Sequence, residues 1–179
     1  MPKTESFVKA FLTGDKTAFK TLYTETSEML YRVVFRMTGS REEAEDILHD
    51  VYIKAYEKRK SYKPELSGLR TWLYRIAVNH TLNVLKRRNW NNNMRRFLGW
   101  QEAERDVLDD CVTAEEGQDM QRLLQKVPEN FRVCLVLRDI EEKPYEEIAG
   151  LLKLNTGTVK SRINRGRKML KELYEREGG

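Results

Sequence analysis

Apolar residues return every third or fourth position along most of this 179-residue chain, and no stretch alternates long enough to read as a strand. The pattern predicts helices over roughly 4–13, 16–38, 41–59, 68–88, 116–126, 129–139, 144–152 and 156–175. Breaks fall at Gly14-Asp15, Gly39-Ser40, Lys63-Pro64 with Gly68, Val127-Pro128 and Lys143-Pro144, each with a residue that ends or bends a helix. Between about Asn89 and Ala114 the periodicity fails. NWNNNMRRFLGWQ is polar, Asn-rich and aperiodic. The fold class expected is all-α: two small helical domains, 1–90 and 115–179, joined by a flexible linker over 91–114. Trp90, Phe97 and Trp100 are unusual in a free tether. Either they pack on one of the domains, or the linker docks in a partner's channel.

Three of these helices carry a second pattern beside the core stripe. In the last one, Val159, Ile163, Gly166 and Leu170 fall within a narrow arc at about 100° per residue, so they form one buried stripe with Gly166 allowing a close approach. Thr156–Lys171 also holds six cations and no acid. Lys160, Ser161, Asn164, Arg165 and Lys168 lie on the far side, with Arg162 and Arg167 at the edges. Ile148, Ala149 and Leu152 precede it, across the short turn Lys153-Leu154-Asn155, which is the size and pattern of a helix-turn-helix. Such a helix places residues near its N-terminus against base edges in the major groove. Thr158, Lys160, Ser161, Asn164 and Arg165 are the right chemical types, and Arg162 and Arg167 suit phosphates. The same pattern also fits a solvated basic face on an ordinary helical hairpin.

In Glu42–Lys58, Ala44, Ile47, Leu48, Val51 and Ala55 share the core face. The opposite face carries Asp46, His49, Asp50, Ile53, Tyr56 and Glu57, and a purely solvated face has no need of Ile53 and Tyr56. A mixed acidic and apolar strip suits a protein docking surface, although stray surface apolar residues are common. In Leu69–Arg88, Leu73, Ile76, Ala77 and Val84 form the core stripe, while Trp72, Arg75, Asn79, Asn83 and Lys86 line another side. An aromatic ring, amides and cations in one line suit unstacked bases and their backbone. Trp72 is equally readable as a core residue with polar neighbours in water.

Charge adds an anionic partner to this picture. The formal net charge is +5. Lys86–Arg96 holds five cations and no acid, and Glu102–Asp119 holds eight acids against the single Arg105. Such block alternation suits a chain that meets a polyanion at both ends but not in the middle. Other classes drop out. No apolar run approaches the roughly 18 residues of a membrane helix, and the N-terminus has no apolar core of a signal peptide. Cys111 and Cys134 are too few and too far apart for a disulfide framework or metal knuckle, so a reducing cytoplasm is the expected setting. There is no P-loop, GxGxxG or HExxH, and His49 and His80 lack a nucleophile arrangement, so neither an enzyme nor a cofactor or metal site is expected.

The string AEDILHDVYIKAY, then RTWLYRIAVN, then YEEIAGLLKLNTGTVKSR resembles, in that order, a bacterial RNA polymerase sigma factor of the sigma-70 family, and the short two-domain plan resembles its extracytoplasmic-function group. The match runs from about Phe7 to Tyr174. The resemblance implies a transcription initiation factor whose partners are core polymerase, promoter DNA and an anti-sigma factor, with no membrane contact of its own. On core polymerase the docking points would be the clamp helices of the largest subunit and the β flap. It implies that Asp46, His49, Asp50, Ile53 and Tyr56 dock on the clamp helices. It assigns Trp72, Arg75, Asn79, Asn83 and Lys86 to the opened −10 element, with a flipped-out base against Ser61–Gly68 and Asn79 a contact. It assigns Thr158, Lys160, Ser161, Arg162, Asn164 and Arg165 to the −35 duplex, and it makes the acidic block a mimic of nucleic acid inside a polymerase channel. Asn155-Thr156, Asn164 and Gly166 depart from the common family pattern, so the −35 preference does not carry over. The rival reading is an autonomous helix-turn-helix repressor or activator that binds duplex DNA without polymerase.

Overall fold

The computed structural model describes residues 5–97 and 115–177. Among the described residues there are eight α-helices and no strand: α1 (Glu5–Thr13), α2 (Lys16–Thr38), α3 (Arg41–Lys58), α4 (Leu69–Phe97), α5 (Glu115–Lys126), α6 (Glu129–Leu135), α7 (Tyr145–Leu152) and α8 (Thr156–Glu177). The helix ends follow local chemistry. Asp15 accepts the amide of Ala18 at 2.8 Å to start α2, and Gly39, at φ 79°, ends it in the left-handed conformation. Ser40 accepts the amide of Glu43 at 3.2 Å, and the Ser-x-x-Glu spacing is that of a capping box for α3. Asn155 accepts the amide of Thr158 at 2.7 Å, so the departure from the family pattern at this position supplies the N-cap of α8.

The first half is α1–α4. Leu22, Leu30, Val33 and Val34 of α2 meet Ala44, Ile47, Val51 and Ala55 of α3 and Leu73, Ala77, Val78 and Leu85 of α4, all buried. Phe11 of α1 stacks on Phe19 at 4.9 Å and meets the edges of Tyr62 and Trp72. The second half is α5–α8. There Val159 and Ile163 of α8 pack on Val133, Leu135 and Ile148, all buried. A Cβ on Gly166 would stand 3.0 Å from the side chain of Leu135, which is the close approach the spacing predicts.

Two elements differ from expectation. The helix predicted to end near 88 continues to Phe97, so the expected linker boundary at 91 falls inside α4. No Gly or Pro interrupts Leu69–Phe97, and Asn costs only about half a kcal/mol per residue against Ala, too little to stop a helix already formed. The rest of the predicted linker, with Trp100 and the acidic block up to Ala114, lies outside the described residues. The helix predicted over 129–139 widens after Leu135 into a π-turn, Val136–Ile140, closed by the Glu141 amide on the Val136 carbonyl at 2.9 Å.

The two halves pack on each other. Arg132 of α6 is buried, and its guanidinium donates to the Met37 carbonyl at 3.2 Å and the Gln125 carbonyl at 3.0 Å. Burial lowers its pKa to about 10. Arg88 of α4 bridges Glu43 of α3 at 2.8 Å and Glu129 of α6 at 2.7 Å, and the Asn89 amide donates to Glu129 at 2.7 Å. Lys143 sits 4.6 Å above the Tyr74 ring, and Arg36 is 3.8 Å from Glu141, whose pKa burial raises.

Candidate polymerase and nucleic-acid interfaces

On α3, Ala44, Ile47, Leu48, Val51 and Ala55 are buried, and Asp46, His49, Ile53 and Tyr56 project outward. Ile53 is 43% exposed and Tyr56 46%. Asp50 is half-buried; its carboxylate is 2.9 Å from His80 Nε2 and 3.8 Å from Lys54 Nζ, so it also ties α3 to α4. Arg59 lies over the Tyr56 ring at 4.1 Å and donates to the Tyr56 carbonyl at 2.7 Å. This strip extends beyond the residues read from sequence. Phe19 packs edge-on against Tyr56 at 4.9 Å, and Tyr23, exposed, lies 4.8 Å from Tyr52. Burial pushes the Tyr52 hydroxyl up to about 12, while it shares a 2.7 Å hydrogen bond with Thr26. The signal for the α2 side was the four-residue spacing of Phe19 and Tyr23, which reads equally as core.

On α4, Arg75, Asn79, Asn83 and Lys86 are exposed along one side. The Asn79 amide donates to the Arg75 carbonyl at 2.8 Å, leaving its carboxamide oxygen outward-facing chemistry to offer. Trp72 shares this angular sector but is half-buried, 5.9 Å from Phe11 and 5.4 Å from Tyr62. It therefore packs, and only part of its ring is open to a ligand. The loop before α4 is braced by the Tyr62 hydroxyl on the Ser67 carbonyl at 3.0 Å, and its tip carries Leu66, 74% exposed. Sequence reading did not single out Leu66, because a lone Leu between Lys63-Pro64 and Gly68 carries no periodic signal.

On α8, Lys160, Ser161, Asn164 and Arg165 are exposed, opposite the buried Val159, Ile163 and Gly166. Thr158 is half-buried and its carbonyl accepts from Ser161 Oγ at 3.0 Å. Arg162 is half-buried and reaches the Cys134 thiol, whose pKa burial raises. Arg167, read from sequence as a phosphate contact, is instead held by Asp139 through two hydrogen bonds of 3.0 and 2.5 Å. The acid comes from the π-turn, so sequence spacing gave no warning. α7 and α8 are joined by Lys153, in the left-handed conformation, with Leu154 and Asn155, a connection of the length found in a helix-turn-helix. Among the described residues, no group of acids, histidines or cysteines is arranged to hold a metal ion, and no helix is long and apolar enough to cross a membrane.

Both halves of the chain match known proteins. Residues 22–91 match Sigma-70 region 2, and residues 117–170 match Sigma-70, region 4. The chain is 30% identical to the ECF RNA polymerase sigma factor SigW of Bacillus subtilis, over 92% of this chain and 93% of that protein. It is 31% identical to the ECF RNA polymerase sigma factor SigE of Mycolicibacterium smegmatis, over 89% of this chain but only 64% of that protein's length. Among solved structures, the fold is similar to that of the sigma factor RpoE of Bartonella quintana, solved with the anti-sigma factor NepR. That match has a TM-score of 0.67 and 23% identity, and covers 89% of this chain and 98% of the other.

Proposed function

Because the chain belongs to the extracytoplasmic-function sigma factors of bacterial RNA polymerase, we propose that it is a cytoplasmic transcription initiation factor with three working faces. The α3 strip docks on the core polymerase. The exposed side of α4, with the loop before it, holds the opened −10 strand. The outer face of α8 reads the −35 duplex, and an anti-sigma factor that covers these faces is the matching negative partner. The observation that carries this reading is the outward Ile53 and Tyr56 among Asp46, His49 and Asp50. An autonomous helix-turn-helix regulator has no use for that strip.

The chain supplies binding energy, and the covalent chemistry of RNA synthesis belongs to the polymerase. Unstacking a duplex step costs on average about 1.4 kcal/mol. Stacking and edge contacts to a captured single-stranded base return about 1–3 kcal/mol. A few captured bases therefore bias the strands toward opening. Asn79, an exposed amide beside the cation Arg75, can read an unpaired base edge. Lys160 and Arg165 have no ion pair among the described residues, so both are available to DNA.

The faces are separable by mutation. Arg165→Ala is expected to leave core binding and opening of a pre-melted template intact and to lower initiation on the cognate −35 sequence by about 5- to 100-fold. The comparison is run-off transcription from matched templates with intact and altered −35 elements. An equal loss on every template would make Arg165 a phosphate contact and sink its role as a base reader.

A further inference from the structure

We propose that Trp90 is a stacking platform for an unpaired base of promoter DNA, continuing the exposed side of α4 toward the upstream edge of the opened region. This rests on the reading of α4 as the −10 surface. Trp90 is 68% exposed on a helix that the sequence pattern ends before it. At about 100° per residue, Trp90 stands only about 20° from Asn79, with Lys86 and Asn83 between them in the same arc. Arg88 falls about 180° away, on the side tied to Glu43 and Glu129. One side of α4 is thus fastened to the protein, and the opposite side is a row of Arg75, Asn79, Asn83, Lys86 and Trp90 open to solvent.

Charge selects the ligand. Leu69–Phe97 contains seven Lys and Arg (Arg70, Arg75, Lys86, Arg87, Arg88, Arg95, Arg96) and no Asp or Glu. An indole between cations, with amides a turn or two away, fits a base and its phosphates. Trp90 lies about 16 Å along the helix from Asn79, roughly five stacked nucleotides at 3.4 Å each. The C-terminal end of α4 lies against the second half, where the Asn89 amide donates to Glu129 at 2.7 Å, and that half carries α8, the helix assigned to the −35 side. Trp90 then meets the strand where it leaves the upstream duplex.

The test uses the full chain assembled with core polymerase on a promoter that the unaltered chain activates. With benzoylphenylalanine in place of Trp90, photolysis is expected to crosslink to DNA upstream of the base that depends on Asn79. Trp90→Ala is expected to slow open-complex formation by about 5- to 100-fold, with core binding unchanged and Trp90→Phe largely restoring the rate. An abasic site at the crosslinked nucleotide should produce the same defect and add nothing to Trp90→Ala. A crosslink into a polymerase subunit instead of DNA, or an unchanged opening rate, overturns the proposal. Asn79→Ala separates the two levels. If it slows opening and Trp90→Ala does not, only the role of Trp90 fails; if neither does, the −10 reading of α4 fails with it.

Discussion

Ile53→Glu is expected to weaken binding to core RNA polymerase by at least about 30-fold while leaving the melting temperature of the free chain unchanged. The side chain is nearly half exposed and contributes little to the core of the first half, so its replacement has no folding penalty of note. On the proposed reading it is, with Tyr56, an apolar anchor among Asp46, His49 and Asp50, the arrangement in which truncating one anchor costs about 2 kcal/mol or more. A glutamate there adds a desolvated charge to an already acidic strip, so the loss exceeds that of simple truncation. Fluorescence anisotropy of a labelled chain titrated with core polymerase measures the affinity, and a thermal melt checks the fold. Unchanged affinity would remove Ile53 from the interface. Tyr56 is a less discriminating site, because Phe19 and Arg59 both rest on its ring.

The second large effect concerns how the halves are held together. Promoter elements about 25 base pairs apart lie roughly 85 Å apart along the duplex at ~3.4 Å per pair. A compact chain of 179 residues has a radius of gyration of about 16 Å. If α4 holds one element and α8 the other, as proposed, the packed arrangement cannot reach both, and the contact between halves has to open on the promoter. Arg88 is the clasp most exposed to electrostatics, since its guanidinium joins one carboxylate from each half, Glu43 and Glu129. Arg88→Glu sets three carboxylates together. It is expected to raise the radius of gyration of the free chain clearly above 16 Å in small-angle X-ray scattering at low salt, and raising the salt should reverse part of the change by screening the repulsion. The double variant Arg88→Glu, Glu129→Arg should restore compactness. If Arg88→Glu stays compact at low salt, the other contacts between the halves, the buried Arg132 among them, hold them without this clasp.

The comparison between pattern and structure separates two kinds of information. Hydrophobic spacing reports burial, and the limits of α2, between Asp15 and Gly39, were legible from it. It was silent over Asn91–Phe97, which shows no apolar period although the backbone is helical there. The exposure of Ile53 and Tyr56 on α3 and of Lys160 and Arg165 on α8 was readable because each lies opposite a well-marked core stripe. Phe19, Tyr23 and Tyr52 were not, since an aromatic at a four-residue spacing reads the same whether it packs inward or forms a half-exposed ridge. The Arg167–Asp139 pair and the Arg88 clasp were beyond reach for another reason. Each joins residues whose proximity is set by tertiary packing, and their partners lie 28 residues or more away in sequence.

The central claim is that this chain confers promoter choice on RNA polymerase. The most direct measurement is in vitro transcription from a pooled library of genomic fragments of the source organism, with purified bacterial core polymerase, with and without the chain. Defined start sites that depend on the chain and share two spaced sequence elements are the expected result. No chain-dependent initiation, together with a specific duplex shifted by the chain alone, would contradict the account and leave an autonomous DNA-binding regulator in its place.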